Sequence, residues 1–136
     1  MTNAPMSTEI IMLGCAAALV ILQIVLQAGS VGLFLPPSYL MGAQDSQAKV
    51  ANVFVQRLAR ALRNLLETFP LFAAVALALA VTGRTGGMAA LGAQIYVWAR
   101  TAYLPLYVLG VPVARTLAWV ASMAGIVMML AALLGK

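Results

Sequence analysis

The 26 residues from Ile10 to Leu35, IIMLGCAAALVILQIVLQAGSVGLFL, carry no formal charge. A helix of that length and polarity matches the hydrocarbon core of a bilayer better than the surface of a soluble domain. Three more apolar runs follow, at about Leu62–Val81, Met88–Leu109 and Val113–Leu134. Pro36 and Pro37 end the first run, because proline cannot donate to a helix ladder. TGRTGG, with Gly83, Gly86 and Gly87, punctuates the second and third, and Gly110 and Pro112 separate the third and fourth. The predicted fold is an all-α membrane protein, a bundle of four transmembrane helices forming one domain over residues 1–136. Composition agrees: 64% of residues are hydrophobic and 8% charged, where a soluble domain is about one-quarter charged.

The second helix is predicted to start near Ser46 and reach Val81. That is roughly 54 Å at 1.5 Å per residue, against a core of about 30 Å, so its first third stands outside the core. Pro70 falls inside it, which a membrane helix tolerates. MTNAPMSTE has no basic n-region, so a cleaved signal peptide is not expected. Lys49, Arg57, Arg60, Arg63 and Arg115 lie on one side, and Arg84 and Lys136 on the other. The positive-inside rule then places both termini on the non-cytoplasmic side of the cell's inner or plasma membrane. One cysteine and no histidine exclude a disulfide within the chain and a Cys/His metal site. Cys15 is expected to be a small buried hydrophobe. The net charge of +5 does not point to nucleic acid, because the basic residues sit at span ends or inside spans.

Those charges are ordered. Arg60, Arg63, Asn64 and Glu67 stand at i, i+3, i+4 and i+7, which places them on one helix face, with Arg57 extending it outward. Tyr96, Arg100, Tyr103 and Tyr107 repeat the pattern in the third span. Arg115 and Thr116 open the fourth at the same membrane side. An intramembrane charge costs on the order of 3 kcal/mol and more against lipid, so these groups should face a shared interior and pair. Glu67, the sole acid inside the predicted spans, is expected to neutralise one arginine. The surplus positive charge suits an anionic ligand. The bland alternatives are arginines that snorkel to headgroups, the better reading for Arg57, and an interfacial tyrosine belt. Trp98 and Trp119 read as packing or lipid-facing residues.

RALRNLLETFPLF (Arg60 to Phe72) resembles the second-helix signature of the MAPEG family, the membrane-associated proteins in eicosanoid and glutathione metabolism. WARTAYLPLY (Trp98 to Tyr107) is similar to its third-helix signature, and Arg115 after LGVPVA to its fourth-helix arginine. The resemblance implies a homotrimer of four-helix protomers with sites between neighbouring subunits, in contact with membrane lipids. It implies glutathione as thiol co-substrate and a lipophilic small molecule as the other. Carried over by position, Arg60, Asn64 and Glu67 would hold the tripeptide's charged ends, and Arg63 matches a further basic position. Arg100, Tyr103 and Tyr107 would line the same site. Arg115 would stabilise the thiolate, with Thr116 where some members have serine. Two departures stand out: the end of the first helix has no basic residue, leaving Gln23, Gln27 or Lys49 as substitutes, and Thr68 replaces a tyrosine of some members.

The function implied is a glutathione-dependent transferase or peroxidase acting on lipophilic electrophiles or lipid peroxides. The alternative within the family is a non-catalytic lipid-binding scaffold. A third reading from the residues is a small proton-coupled exporter using Glu67, which surplus arginine disfavours because such pumps take cations.

Overall fold

A computed structural model describes residues 4–41 and 52–135. Four long helices, α1 (Thr8–Phe34), α3 (Val53–Thr82), α4 (Gly87–Leu109) and α5 (Pro112–Leu134), form the bundle, with a one-turn α2 (Pro37–Met41) after α1. The boundaries follow the punctuation in the sequence. Gly83 closes α3 in the left-handed conformation at φ 68°, and Gly110 closes α4 at φ 74°. Both positions favour glycine because a Cβ is strained there. Pro112 then opens α5 in its first turn.

The start of α3 differs from the prediction. The helix begins at Val53, and Asn52 caps it, its Oδ1 accepting from the backbone N–H of Phe54 (2.9 Å) and Val55 (3.3 Å). Ser46 and Lys49 lie outside the described residues. Pro70 and Pro105 sit within unbroken helices.

By length and composition α1, α3 and α5 can cross a membrane. The four long helices match the four predicted apolar runs, and three of them meet that measure on their own. At 23 residues α4 is as long as α5, but Gln94, Arg100 and three tyrosines dilute its hydropathy. It packs most extensively against α5 and also touches α1 and α3.

The polarity of the bundle is inverted relative to a water-soluble protein. Ile21, Val25, Leu71, Trp98, Leu117 and Val127 are all more than half exposed, while Glu9, Gln23, Arg100 and Ser122 are buried. Such an exterior is stable only against lipid or another apolar surface. The core gathers Phe72, Val75, Ala76 and Leu79 of α3, Ala89, Ala93 and Tyr96 of α4, and Ile126 and Met129 of α5, with Ala16 of α1. Small residues let α4 and α5 approach closely where Gly92 faces Gly125.

Two sequence expectations fail here. Cys15 is exposed on the outer face of α1, not buried. Glu67 is not the sole acid in a helical span: Glu9 lies in the first turn of α1, fully buried, and accepts from the Gly86 N–H at 2.6 Å. Gly86 is the N-cap of α4, so a carboxylate from one helix satisfies the positive end of another. At the same end of the bundle, Arg84 donates to the Leu133 (2.7 Å) and Gly135 carbonyls at the end of α5.

Candidate functional site

Arg100 is 1% exposed. Its Nη1 donates to Oδ1 of Asn64 on α3 at 2.6 Å. The guanidinium carbon lies 5.7 Å from the Tyr96 ring centre and 5.3 Å from that of Tyr103, within cation–π range. Tyr96 is itself fixed. Its ring stacks on Phe72 at 4.1 Å, and its hydroxyl shares a hydrogen bond of 3.0 Å with Thr68 Oγ1. Nε and Nη2 of Arg100 are buried and have no partner among the described residues.

Arg115, in the first turn of α5, lies over the Tyr107 ring at 4.6 Å, and Tyr107 packs against Tyr103 at 5.5 Å. Asn64, Tyr103, Arg115, Thr116 and Trp119 line a cleft of about 190 Å³. Three helices therefore supply one polar chamber. Thr116 donates its hydroxyl proton to the Pro112 carbonyl at 2.9 Å, leaving its oxygen as an acceptor. Trp119 joins the lining although the sequence reading set it aside as packing or lipid-facing. Its position four residues after Arg115, on the same helix face, was the available signal.

The charged stripe of α3 is divided. Successive residues turn by roughly 100°, so Asn64 and Arg63 lie about 100° apart on the helix. Asn64 turns to α4. Arg63 and Glu67 instead line an open groove of about 440 Å³ together with Gln27 of α1. Both are exposed, and the Glu67 carboxylate makes no ion pair or hydrogen bond among the described residues, although it lies near enough to attract Arg100 electrostatically. Arg60 is exposed and donates to Gln56 Oε1 at 3.0 Å. Arg57 donates to the Val108 carbonyl at 2.9 Å, bracing α3 against the end of α4. Within one chain, then, Asn64, Arg100, Tyr103, Tyr107, Arg115 and Thr116 come together, whereas Arg60, Arg63 and Glu67 do not join them.

Gln23 and Gln27, named as substitutes for a missing base, keep buried carbonyl oxygens without partners. Gln27 stands in the groove of Arg63 and Glu67.

An inverted-polarity helical bundle whose helices bring Arg100, Arg115 and three tyrosines together near one end is built as a membrane protein. Its sequence matches the profile of the MAPEG family over residues 12–135. The chain belongs to that family, which places it in general terms among the membrane proteins of glutathione and eicosanoid metabolism. No curated protein matches it.

Proposed function

We propose that this protein is a glutathione-dependent membrane transferase or peroxidase acting on lipophilic electrophiles or lipid peroxides. The observation that carries the reading is the cleft in which Arg115 meets Asn64, Tyr103 and Thr116 with no acid in its lining. Arg115 would activate the thiol and Thr116 would orient it. Arg60, Arg63, Asn64, Glu67, Arg100, Tyr103 and Tyr107 would hold the tripeptide. A free thiol of pKa about 8.5 is only a few per cent thiolate at neutral pH, and an adjacent guanidinium raises that fraction. The thiolate sulfur then attacks an electrophilic carbon. A carbon–sulfur bond forms, and the departing atom keeps the bonding pair and takes a proton from water.

The outward face of α3 bears on assembly. Arg60, Arg63 and Glu67 are exposed on a helix apolar enough for a membrane, and charge facing lipid is costly. In a homotrimer, a neighbouring copy would cover that face and complete each site from two subunits. The proposed unit is one domain over residues 1–136, in the inner or plasma membrane with both termini outside the cytoplasm.

Thiolate absorbance titration with glutathione tests the activation step. The wild type should show thiolate at a pH where Arg115→Ala does not, and equal curves would refute the role of Arg115. Calorimetry in detergent tests binding, which should be saturable and lost in Arg60→Ala and Glu67→Ala. One observation favours the scaffold reading: an apolar groove of about 500 Å³ between α1, α3 and α4, edged by Phe34, Phe54 and Leu104. A chain that binds lipid there but never glutathione would be that scaffold.

A further inference from the structure

The groove between α1, α3 and α4 has a cation fixed at its rim. Val25 and Leu33 of α1, Phe54 and Leu58 of α3, and Leu104 and Val108 of α4 wall its space of about 500 Å³. Ser30 is the one polar side chain in the lining, and its hydroxyl is donated to the Gln27 carbonyl at 2.7 Å. From Val25 to Phe34 the groove follows α1 for about 14 Å, at 1.5 Å per residue. Val25 and Leu33 are more than half exposed, so this wall is open to whatever surrounds the bundle.

The two ends of the groove differ. α1 ends at Phe34, α3 starts at Val53 and α4 ends at Leu109, so Phe34, Phe54 and Val108 mark the rim, and Val25 and Leu104 lie deeper. Arg57 follows Phe54 by three residues and shares its side of α3. Its Nη1 donates to the carbonyl of Val108, itself a groove residue, at 2.9 Å. The guanidinium rests on Gly110, where an added Cβ would stand 2.9 Å from Nη1 and 3.0 Å from Nη2. The group is therefore held in place with donors to spare, on a side chain that is only half-buried. Among the described residues it makes no ion pair. Glu67 stands ten residues further on, about 15 Å along the helix, and Asp45 lies outside the described residues.

We propose that this groove is a binding site for one anionic membrane phospholipid, with an acyl chain lying along α1 and the phosphate on Arg57. The site goes beyond the proposed function and shares no lining residue with the Arg115 cleft. An acyl chain suits a wall without a free donor, and a phosphate suits a guanidinium that still has some. Arg60, the next basic group along α3, is exposed. A headgroup with its own ammonium therefore meets a second cation there and no acid among the described residues. That charge balance favours phosphatidylglycerol over phosphatidylcholine. Gly29 lines the groove, and a Cβ there meets nothing within 4 Å. A larger side chain at Gly29 can occupy the groove without displacing the protein around it.

Native mass spectrometry of the full chain in detergent, titrated with dioleoyl phosphatidylglycerol or dioleoyl phosphatidylcholine, counts the bound lipid. The wild type should bind phosphatidylglycerol saturably, a single lipid per chain, about fivefold or more tighter than phosphatidylcholine. Arg57→Gln keeps an N–H donor for Val108 and loses the charge. Its preference should fall below about twofold while phosphatidylcholine binding stays, a split that mere loss of stability does not produce. Gly29→Leu should weaken both lipids about fivefold or more at an equal or higher Tm, because leucine is the better helix former. Equal binding of the two lipids by the wild type, or a preference that survives in Arg57→Gln, overturns the site. So does Gly29→Leu with both affinities intact, the result expected of lipid adsorbed anywhere on the bundle or of a groove filled by the chain's own 42–51 connection. A drop in the number of copies per particle in Gly29→Leu makes the groove an interface between subunits, and the proposal fails. Should Arg57→Gln not fold, Gly29→Leu decides by the same criterion. None of these results bears on glutathione binding in the cleft.

Discussion

Replacing Gly92 or Gly125 by alanine should push α4 and α5 apart. A Cβ on Gly92 would stand 2.5 Å from the Gly125 carbonyl oxygen, and one on Gly125 would stand 2.6 Å from that of Gly92 and 2.9 Å from the Tyr96 nitrogen. Carbon–oxygen contacts between helices rest at about 3.3–3.6 Å, so the two backbones must separate by roughly 1 Å. The nearest atoms are main chain, and no rotamer change can relieve the clash. Overpacking of this kind costs about 1–3 kcal/mol. Better helix propensity returns up to about 1 kcal/mol of it. The net loss of up to about 2 kcal/mol should lower Tm by up to roughly 10 °C.

Gly14 of α1 supplies the control, since a Cβ there meets nothing within 4 Å. Gly14→Ala gains propensity with no clash and should leave Tm equal or higher. Thermal unfolding by circular dichroism, in one detergent, compares the three variants with the wild type. Equal shifts for Gly92→Ala and Gly14→Ala would refute the close approach of α4 and α5. The shift also reaches the cleft, because Tyr103 is on α4 and Arg115 on α5. Gly125→Ala should therefore weaken glutathione binding as well, although Gly125 does not line the cleft.

Asn52→Ala should cost about 1 kcal/mol through loss of the α3 cap, and Asn52→Asp should be nearly neutral, as read from Tm. Glu9→Ala removes the charged acceptor of the Gly86 N–H and should cost about 1–3 kcal/mol, while Glu9→Gln, which keeps an acceptor oxygen, should cost less. Arg84→Ala frees the last carbonyls of α5, and hydrogen exchange near Leu134 should quicken while α3 stays protected. Native mass spectrometry in detergent should find three copies per particle, and a monomer would leave Arg60, Arg63 and Glu67 without a facing partner.

Hydrophobic periodicity reports a buried face in water because the outside is polar. In a lipid setting both faces of a helix are apolar, and the pattern loses its phase. The spans were readable for a different reason: prolines, glycines and charges mark where apolar runs stop. The α3 start was missed because residues 46–52 contain no proline or glycine, and an Asn cap is recognised by geometry. Cys15 was misjudged because its apolar surroundings fit either face. Only polar residues keep the phase, and on α1 they did so. Glu9, Gln23 and Ser30 are buried, and with Ala16 they recur every seven residues, a heptad that names the inner face of a helix whose other sides are aliphatic. Of the residues that spacing marks, Asn64, Arg100 and Tyr103 adjoin within one chain. Arg63 and Glu67 turn to a separate groove, because four polar positions at i, i+3, i+4 and i+7 cover about 100° of a helix, wide enough to serve two neighbours. Which edge of such a stripe meets which neighbour depends on helix rotation, and on α3 that rotation is set by Phe72, Ala76 and Leu79 packing into the core. With those apolar residues in the core, Asn64 hydrogen-bonds Arg100 and Glu67 lines the neighbouring groove.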